Sequence, residues 1–231
     1  KYRQWDGSVW GSEAEMLTID SPLSWARTKA ATTREEYIAA TVGSDGDVNV
    51  QIFGTGEWSN LQKMTTNMGD TNSRGFDVTY ETVSGDAMVV YCDSTVTPKY
   101  RIWNGSTWGS ETSVGLTLAN NCEWVELASN PESNEIVVLV ADALGSSYSA
   151  RVWSGTAWGN TTSHGSIVDE DHQGMTVAYE SNGGGTAVIV TSDGNPARFE
   201  WNSWTTAGGW GTAGTQGIGD DFEWGTLVAD D

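Results

Sequence analysis

The nine residues from Tyr100 to Trp108, YRIWNGSTW, recur along the chain at a nearly fixed interval. Tyr2 to Trp10 reads YRQWDGSVW, Val50 to Trp58 reads VQIFGTGEW and Ala150 to Trp158 reads ARVWSGTAW; a more distorted copy, ARFEWNSW, starts at Ala197. The aromatic anchors Trp5, Phe53, Trp103, Trp153 and Trp201 stand 48, 50, 50 and 48 residues apart. A period of this length restricts the chain to repeat architectures, in which each unit buries its apolar face against the next.

Every copy carries hairpin chemistry. Asp6-Gly7, Asn104-Gly105 and Ser154-Gly155 offer residues that tolerate the positive φ of a tight two-residue turn. Counting outward from such a loop puts Arg101 opposite Trp108, Arg3 opposite Trp10, Arg151 opposite Trp158 and Gln51 opposite Trp58. A guanidinium laid on an indole across a hairpin is worth about 0.5 to 1 kcal/mol at an exposed site.

Each repeat supplies four short strands. The first strands open at Trp25, Phe76, Trp124 and Met175, and the hairpins provide the third and fourth. The second strands, Glu36 to Gly43, Ala87 to Cys92, Glu135 to Ala141 and Thr186 to Thr191, are apolar runs suited to burial on both faces. Asp45, Asp93, Asp142 and Asp193 follow them as turn caps. Four antiparallel strands per unit of 48 to 50 residues is the pattern of a propeller blade. Tryptophan opens the first strand at 25, 124 and 224, whereas Phe76 and Met175 share Val-x-Tyr-Glu, so two blade types alternate.

We therefore expect an all-β propeller of about five blades in a single domain spanning 1–231. Four blades cover about 23–60, 73–111, 121–160 and 173–213, and a composite fifth joins 220–231 to 1–13. The two ends of that fifth blade lack a second strand between them. An unfilled edge is a template for association, so a homo-oligomer or polymer built through the terminal strands is expected. Lys1 falls inside a repeat, so the chain reads as processed or cut from a longer polypeptide.

The length, blade count and Trp-rich hairpins resemble the five-bladed tachylectin-type propellers. Over nearly the whole chain, the strings FDVTYETVSGDAMVVY, CEWVELASNPESNEIVVLV and YRIWNGSTWGSE resemble repeats of long, uncharacterised secreted proteins of environmental microbes. That second resemblance implies no known activity.

Charge narrows the function classes. Against 31 acidic residues stand 11 basic ones, a net −20, which argues against nucleic acid because phosphate binding needs clustered Lys and Arg. No apolar stretch approaches the ~18 residues of a membrane span. Only His164 and His172 are available as imidazoles, and both read as solvated loop residues beside no nucleophile motif, so no catalysis is expected. Asp45 with Asp47, Asp169 to Asp171, and Asp220 with Asp221 offer oxygen ligands suited to calcium, but none has the spacing of a known loop, and no cofactor is expected. Cys92 and Cys122 would close a loop of about 30 residues across neighbouring blades; the reach between those strands leaves the pairing open.

The tryptophans admit two roles. As hairpin structure, the set Arg3, Trp5, Trp10, Phe53, Trp58, Arg101, Trp103, Trp108, Arg151, Trp153, Trp158 and Trp201 holds the outer strands together. As sugar platforms, Trp58, Trp108 and Trp158 are the candidates, and Trp58, with Gln51 in place of arginine, is the least committed to structure. Repetition without a clustered chemical site favours a non-enzymatic extracellular structural module, a subunit of a cell-surface fibre, layer or adhesive protein. A multivalent lectin with one site per blade is the alternative.

Overall fold

The structure, a computed structural model, describes residues 1–143, 147–165, 172–181, 185–195 and 197–229. Among them no helix occurs. The chain forms four antiparallel sheets in which sequential strands pair. Sheet one is β1 (Leu23–Ala30), β2 (Glu36–Gly43), β3 (Val48–Gly54) and β4 (Glu57–Thr65). Sheet two is β5 (Phe76–Tyr80), β6 (Ala87–Tyr91), β7 (Lys99–Trp103) and β8 (Thr112–Ser113). Sheet three is β9 (Cys122–Ser129), β10 (Ile136–Asp142), β11 (Ser147–Trp153) and β12 (Trp158–Gly165). Sheet four is β13 (Met175–Tyr179), β14 (Thr186–Ser192), β15 (Arg198–Thr205) and β16 (Gly209–Trp210), with β17 (Gly214–Gly217) also on β15.

The second strands are buried as their composition requires: every residue of β6 and β10 is buried. Their side chains enter two clusters that run from sheet to sheet, one through sheets one to three and one through sheets three and four. The first strands, β1, β5, β9 and β13, surround a cavity of about 760 Å³. Residues Trp224 to Ala229 line the same cavity and are tied to sheet four by Gly174 N donating to Glu223 O at 2.7 Å and Leu227 N to Thr176 Oγ1 at 3.1 Å.

The expected fifth blade is not a sheet. Its N-terminal part is a hairpin held by isolated bridges, Tyr2 to Ala14 and Trp5 to Trp10, and its C-terminal part has no strand hydrogen bonding between 218 and 229. The two parts need a strand between them to pair, and the described chain provides none.

Three sequence expectations shift. The hairpin loops are displaced by one residue: Trp103 pairs with Trp108, Trp5 with Trp10, Phe53 with Trp58 and Trp153 with Trp158. Asn104 stands at the first turn position instead of the second, where its Oδ1 accepts from Ser106 N (3.0 Å) and Thr107 N (2.9 Å). Arginine therefore does not face the indole across the hairpin, and the one guanidinium over a ring among the described residues is Arg34 above Tyr80. In the fourth repeat the anchor is Trp204, which pairs with Trp210; Trp201 is 40% exposed and pairs with Gly214 on β17. His164 is a buried strand residue, its Nδ1 3.0 Å from Glu200 Oε1.

Cys92 and Cys122 are disulfide-bonded, with Cα atoms 5.3 Å apart. The bridge joins the end of β6 to the start of β9, and so crosses from sheet two to sheet three.

Candidate functional site

The register puts two aromatic rings side by side in every hairpin. Centroid separations are 5.4 Å for Trp5 and Trp10, 5.3 Å for Phe53 and Trp58, and 5.5 Å for Trp103 with Trp108, Trp153 with Trp158 and Trp204 with Trp210. What differs is how each pair meets the neighbouring repeat.

Three anchors are latched to the preceding sheet. Trp103 Nε1 donates to Glu36 Oε1 at 3.1 Å, Trp153 Nε1 to Glu81 Oε1 at 2.5 Å and Trp204 Nε1 to Glu135 Oε1 at 2.8 Å. Tyr80 and Tyr179 add hydroxyl bonds to Glu36 and Glu135 at 2.9 and 2.8 Å. Burial pushes the Glu36 carboxyl up, but bonds from Arg34, Trp103 and Tyr80 outweigh it and hold the group below its usual range. These glutamates escaped the sequence reading although a signal exists: Glu36 and Glu135, and Glu81 and Glu180, are each separated by 99 residues, the two-repeat period. The fourth latch is unmade. Glu180 accepts from Thr186 N, while Trp5 is 52% exposed and bonded to no glutamate. The remaining anchor is Phe53, which has no N–H to donate.

The residue two before the anchor also differs from repeat to repeat. Gln51 and Arg151 sit at β-bulges in the pairing of third and fourth strands, which re-aim a side chain out of the regular pleat. Gln51 exchanges 2.9 Å bonds with both the N–H and the C=O of Leu17, and Arg151 donates to Val114 O at 2.7 Å and Trp158 O at 3.4 Å. Gly115 leaves room for this crossing; a Cβ there would collide with the Arg151 guanidinium. Arg101 lies beside the Tyr91 hydroxyl. Arg3, the fourth member, is exposed and makes no ion pair or hydrogen bond among the described residues.

Beside Arg3 opens a cleft of about 350 Å³ between the N-terminal hairpin and sheet one. Its walls are aromatic: Tyr2 packs edge-on against Phe53 (5.7 Å) and Trp58 (5.9 Å), and Tyr37 against Phe53 (6.0 Å). Trp5, Thr28 of β1, Arg3 and Gln4 complete the lining. Trp58 Nε1 is inaccessible to water and has no hydrogen-bond partner.

Two substitutions keep this cleft open. Opposite the hairpin anchor stand Tyr37, Ala87, Ile136 and Ala187; Tyr37 is 50% exposed, the others are buried. On the first strands the matching series is Thr28, Val78, Leu127 and Val177, and Thr28 alone is exposed. At the closed seams a second strand of the preceding sheet packs on this strand; among the described residues no such strand packs on β1.

Of the proposed sugar platforms, only Trp58 reaches an open cleft. Trp108 and Trp158 are half-buried against the main core cluster. Trp158 is also capped by Tyr100, 5.7 Å away, which repeats the Tyr2–Trp58 contact.

The central cavity has a different character. Arg74, 2% exposed, donates to Val125 O (2.6 Å), Phe76 O (3.0 Å) and Gln173 Oε1 (3.1 Å), and lies 3.6 Å from Asp77 and 3.8 Å from Glu126. Burial pushes the Glu126 carboxyl up to about 7, against the opposing pull of Arg74. Among the described residues no group of three or more His, Cys, Asp or Glu is placed to hold a metal. Asp45 caps Asp47 N and Asp47 pairs with Lys63; Asp169, Glu170 and Asp171 lie outside the described residues.

No protein-family model and no curated protein matches the sequence. Solved structures do match in fold. Aleuria aurantia lectin in complex with alpha-methyl-L-fucoside aligns with a TM-score of 0.53 at 16% identity, over 82% of this chain and 62% of that one. SapL1 lectin in complex with alpha methyl fucoside aligns at 0.55 and 15%, over 94% and 74%. AofleA from Arthrobotrys oligospora aligns at 0.53 and 12%, over 89% and 61%. The fold is a β-propeller. The chain spans about three-fifths of the length of the Aleuria aurantia lectin, described as six-bladed.

Proposed function

We propose that this propeller is a carbohydrate-binding module and that the cleft between the N-terminal hairpin and sheet one is its site. The observation that carries this reading is the release of side chains that the other repeats use internally. Trp5 and Arg3 are exposed here, while Trp103, Trp153 and Trp204 are latched to the preceding sheet and Arg151 is bonded to the segment that precedes sheet three. An exposed indole, a tyrosine and a guanidinium around about 350 Å³ match the volume and the mixture of apolar walls and few polar groups of small-ligand sites. The fucoside complexes of two fold neighbours support the same class of ligand. The module is read as non-enzymatic, with one open site and not one per blade, and the disulfide favours an oxidising, extracellular setting.

Glycan-array screening followed by calorimetry tests the proposal. A hit should weaken at least about tenfold on Trp5→Ala or Tyr37→Ala, and Trp201→Ala, exposed on β15, should leave it unchanged. Silence across a broad array would refute the assignment.

The structural-module reading keeps one supporting observation, the absence of a strand between the N-terminal hairpin and residues 224–229. A strand donated by a second copy would cover the cleft, so the two readings are exclusive at this seam. Light scattering of the purified protein separates them: concentration-dependent assembly that abolishes glycan binding favours the module, and a glycan-binding monomer favours the lectin.

A further inference from the structure

We propose that the ligand of this cleft is an acidic sugar, a pyranose carrying a carboxylate, bound with that group on Arg3. The inference rests on the carbohydrate reading above and adds the ligand's chemistry. The hydrogen-bonding inventory of the cleft is lopsided. Arg3 contributes five N–H donors and no acceptor. No aspartate or glutamate lines the cleft. A neutral sugar presents hydroxyls that must donate as well as accept; Gln4, Thr28 and the tyrosines offer only neutral oxygens for that. A carboxylate is acceptor-only and matches a guanidinium in a planar two-bond arrangement.

The charge pattern points the same way. In a chain of net charge −20, acidic partners are close at hand for most cations: Lys1 holds Glu13, Arg34 holds Glu36, Lys63 holds Asp47, Lys99 lies 4.0 Å from Asp93 and Arg198 holds Asp193. Arg3 has none. The long-range repulsion of an anion by the remaining surface is screened beyond about 8 Å at physiological ionic strength, so the local guanidinium dominates within the cleft. The indole of Trp5 and the ring of Tyr37 then face the apolar side of the pyranose.

The test compares matched oligosaccharides that differ only at the terminal residue, glucuronic acid against glucose, by calorimetry with the full chain. The wild type should prefer the uronate by about tenfold or more, the scale of a charge-assisted hydrogen-bonded pair. Arg3→Gln should remove that preference while leaving the neutral sugar's affinity unchanged, and Arg3→Lys should restore part of it. Arg3 is exposed and unbonded, so these variants fold as the wild type does. Equal affinity for the two sugars, or a preference indifferent to Arg3→Gln, overturns the acidic-sugar assignment and leaves the carbohydrate reading standing provided Trp5→Ala still abolishes binding. Binding of neither sugar, together with a silent array, overturns both.

Discussion

The seams between sheets one and two, two and three, and three and four are built from the same parts as the seam between the N-terminal hairpin and sheet one, and the two kinds end differently. At the closed seams an anchor indole meets a buried glutamate of the preceding sheet. At the open seam the anchor is phenylalanine, the cross-seam position of Arg151 is taken by Gln51, and the aromatic faces of Trp5 and Tyr37 are left to solvent. A repeat thus yields an open cleft by leaving unmade a contact that its siblings make, with no new class of residue required.

The strongest tie of the closed region is covalent. Replacing Cys92 and Cys122 together by serine removes a crosslink over 30 residues and should cost about 3 to 4 kcal/mol by loop entropy. Urea denaturation with and without reductant measures it. Glycan affinity at the open seam should not change, because the bridge lies between sheets two and three; a parallel loss of binding would show that the two seams are coupled.

Next in size is a comparison of equivalent glutamates. Glu135→Ala strips the acceptor from Tyr179, Trp204 and Thr206 and leaves buried donors unsatisfied, for a loss of about 3 kcal/mol or more. Glu180→Ala, one sheet later, touches no anchor indole and should stay within about 0.5 kcal/mol. Equal losses would mean that Glu180 holds an indole as Glu135 does.

The propeller fold was legible in the chain because a strict period, turn residues and apolar runs all speak through local pattern. The strand count per repeat and all four second strands could be read to within a residue. The hairpin register could not, since Asn104-Gly105 fits two turn positions and the choice is made by where the Asn104 side chain finds N–H partners. Nor could the distorted fourth repeat, in which Trp201 and Trp204 compete for the anchor role and packing against Glu135 decides. The open cleft was visible only as hints, Phe53 and Gln51 in an otherwise Trp and Arg series. Its walls also depend on Tyr37 and Thr28, which stand where the other repeats carry buried apolar residues. The fifth blade is present only in parts: its N-terminal hairpin pairs with itself, and among the described residues no strand joins it to residues 224–229.

Titration offers a third contrast, between the seam and the central cavity. Glu126, raised from 4.5 to about 7 by burial, binds its proton more tightly in the folded chain than in the unfolded one. Its contribution is fully present below pH about 4.5 and is lost as the pH rises to about 7, a change on the order of 3 kcal/mol. Glu36, held below its usual range by Arg34, Trp103 and Tyr80 after burial is overcome, acts in the opposite direction and loses its contribution as acid is added below that range. Urea midpoints of the wild type minus those of Glu126→Gln, taken from pH 4.5 to 8, should fall with rising pH and then level off. A flat difference would place Glu126 in a wetter cavity than the one enclosed by Arg74 and Gln173.

The smallest effect compares one aromatic position in two settings. Trp103→Phe, at a buried position, removes part of the indole ring together with the N–H that reaches Glu36, a loss of about 2 kcal/mol. Trp5→Phe makes the same change where the anchor bonds no glutamate and is half-exposed, and should leave stability within about 0.5 kcal/mol. The position is nonetheless exposed to ligand, so calorimetry on the same pair should invert the order, with affinity altered by Trp5→Phe and untouched by Trp103→Phe. One aromatic position of the repeat would then carry stability at a closed seam and recognition at the open one, divided by whether a carboxylate of the preceding sheet comes within reach.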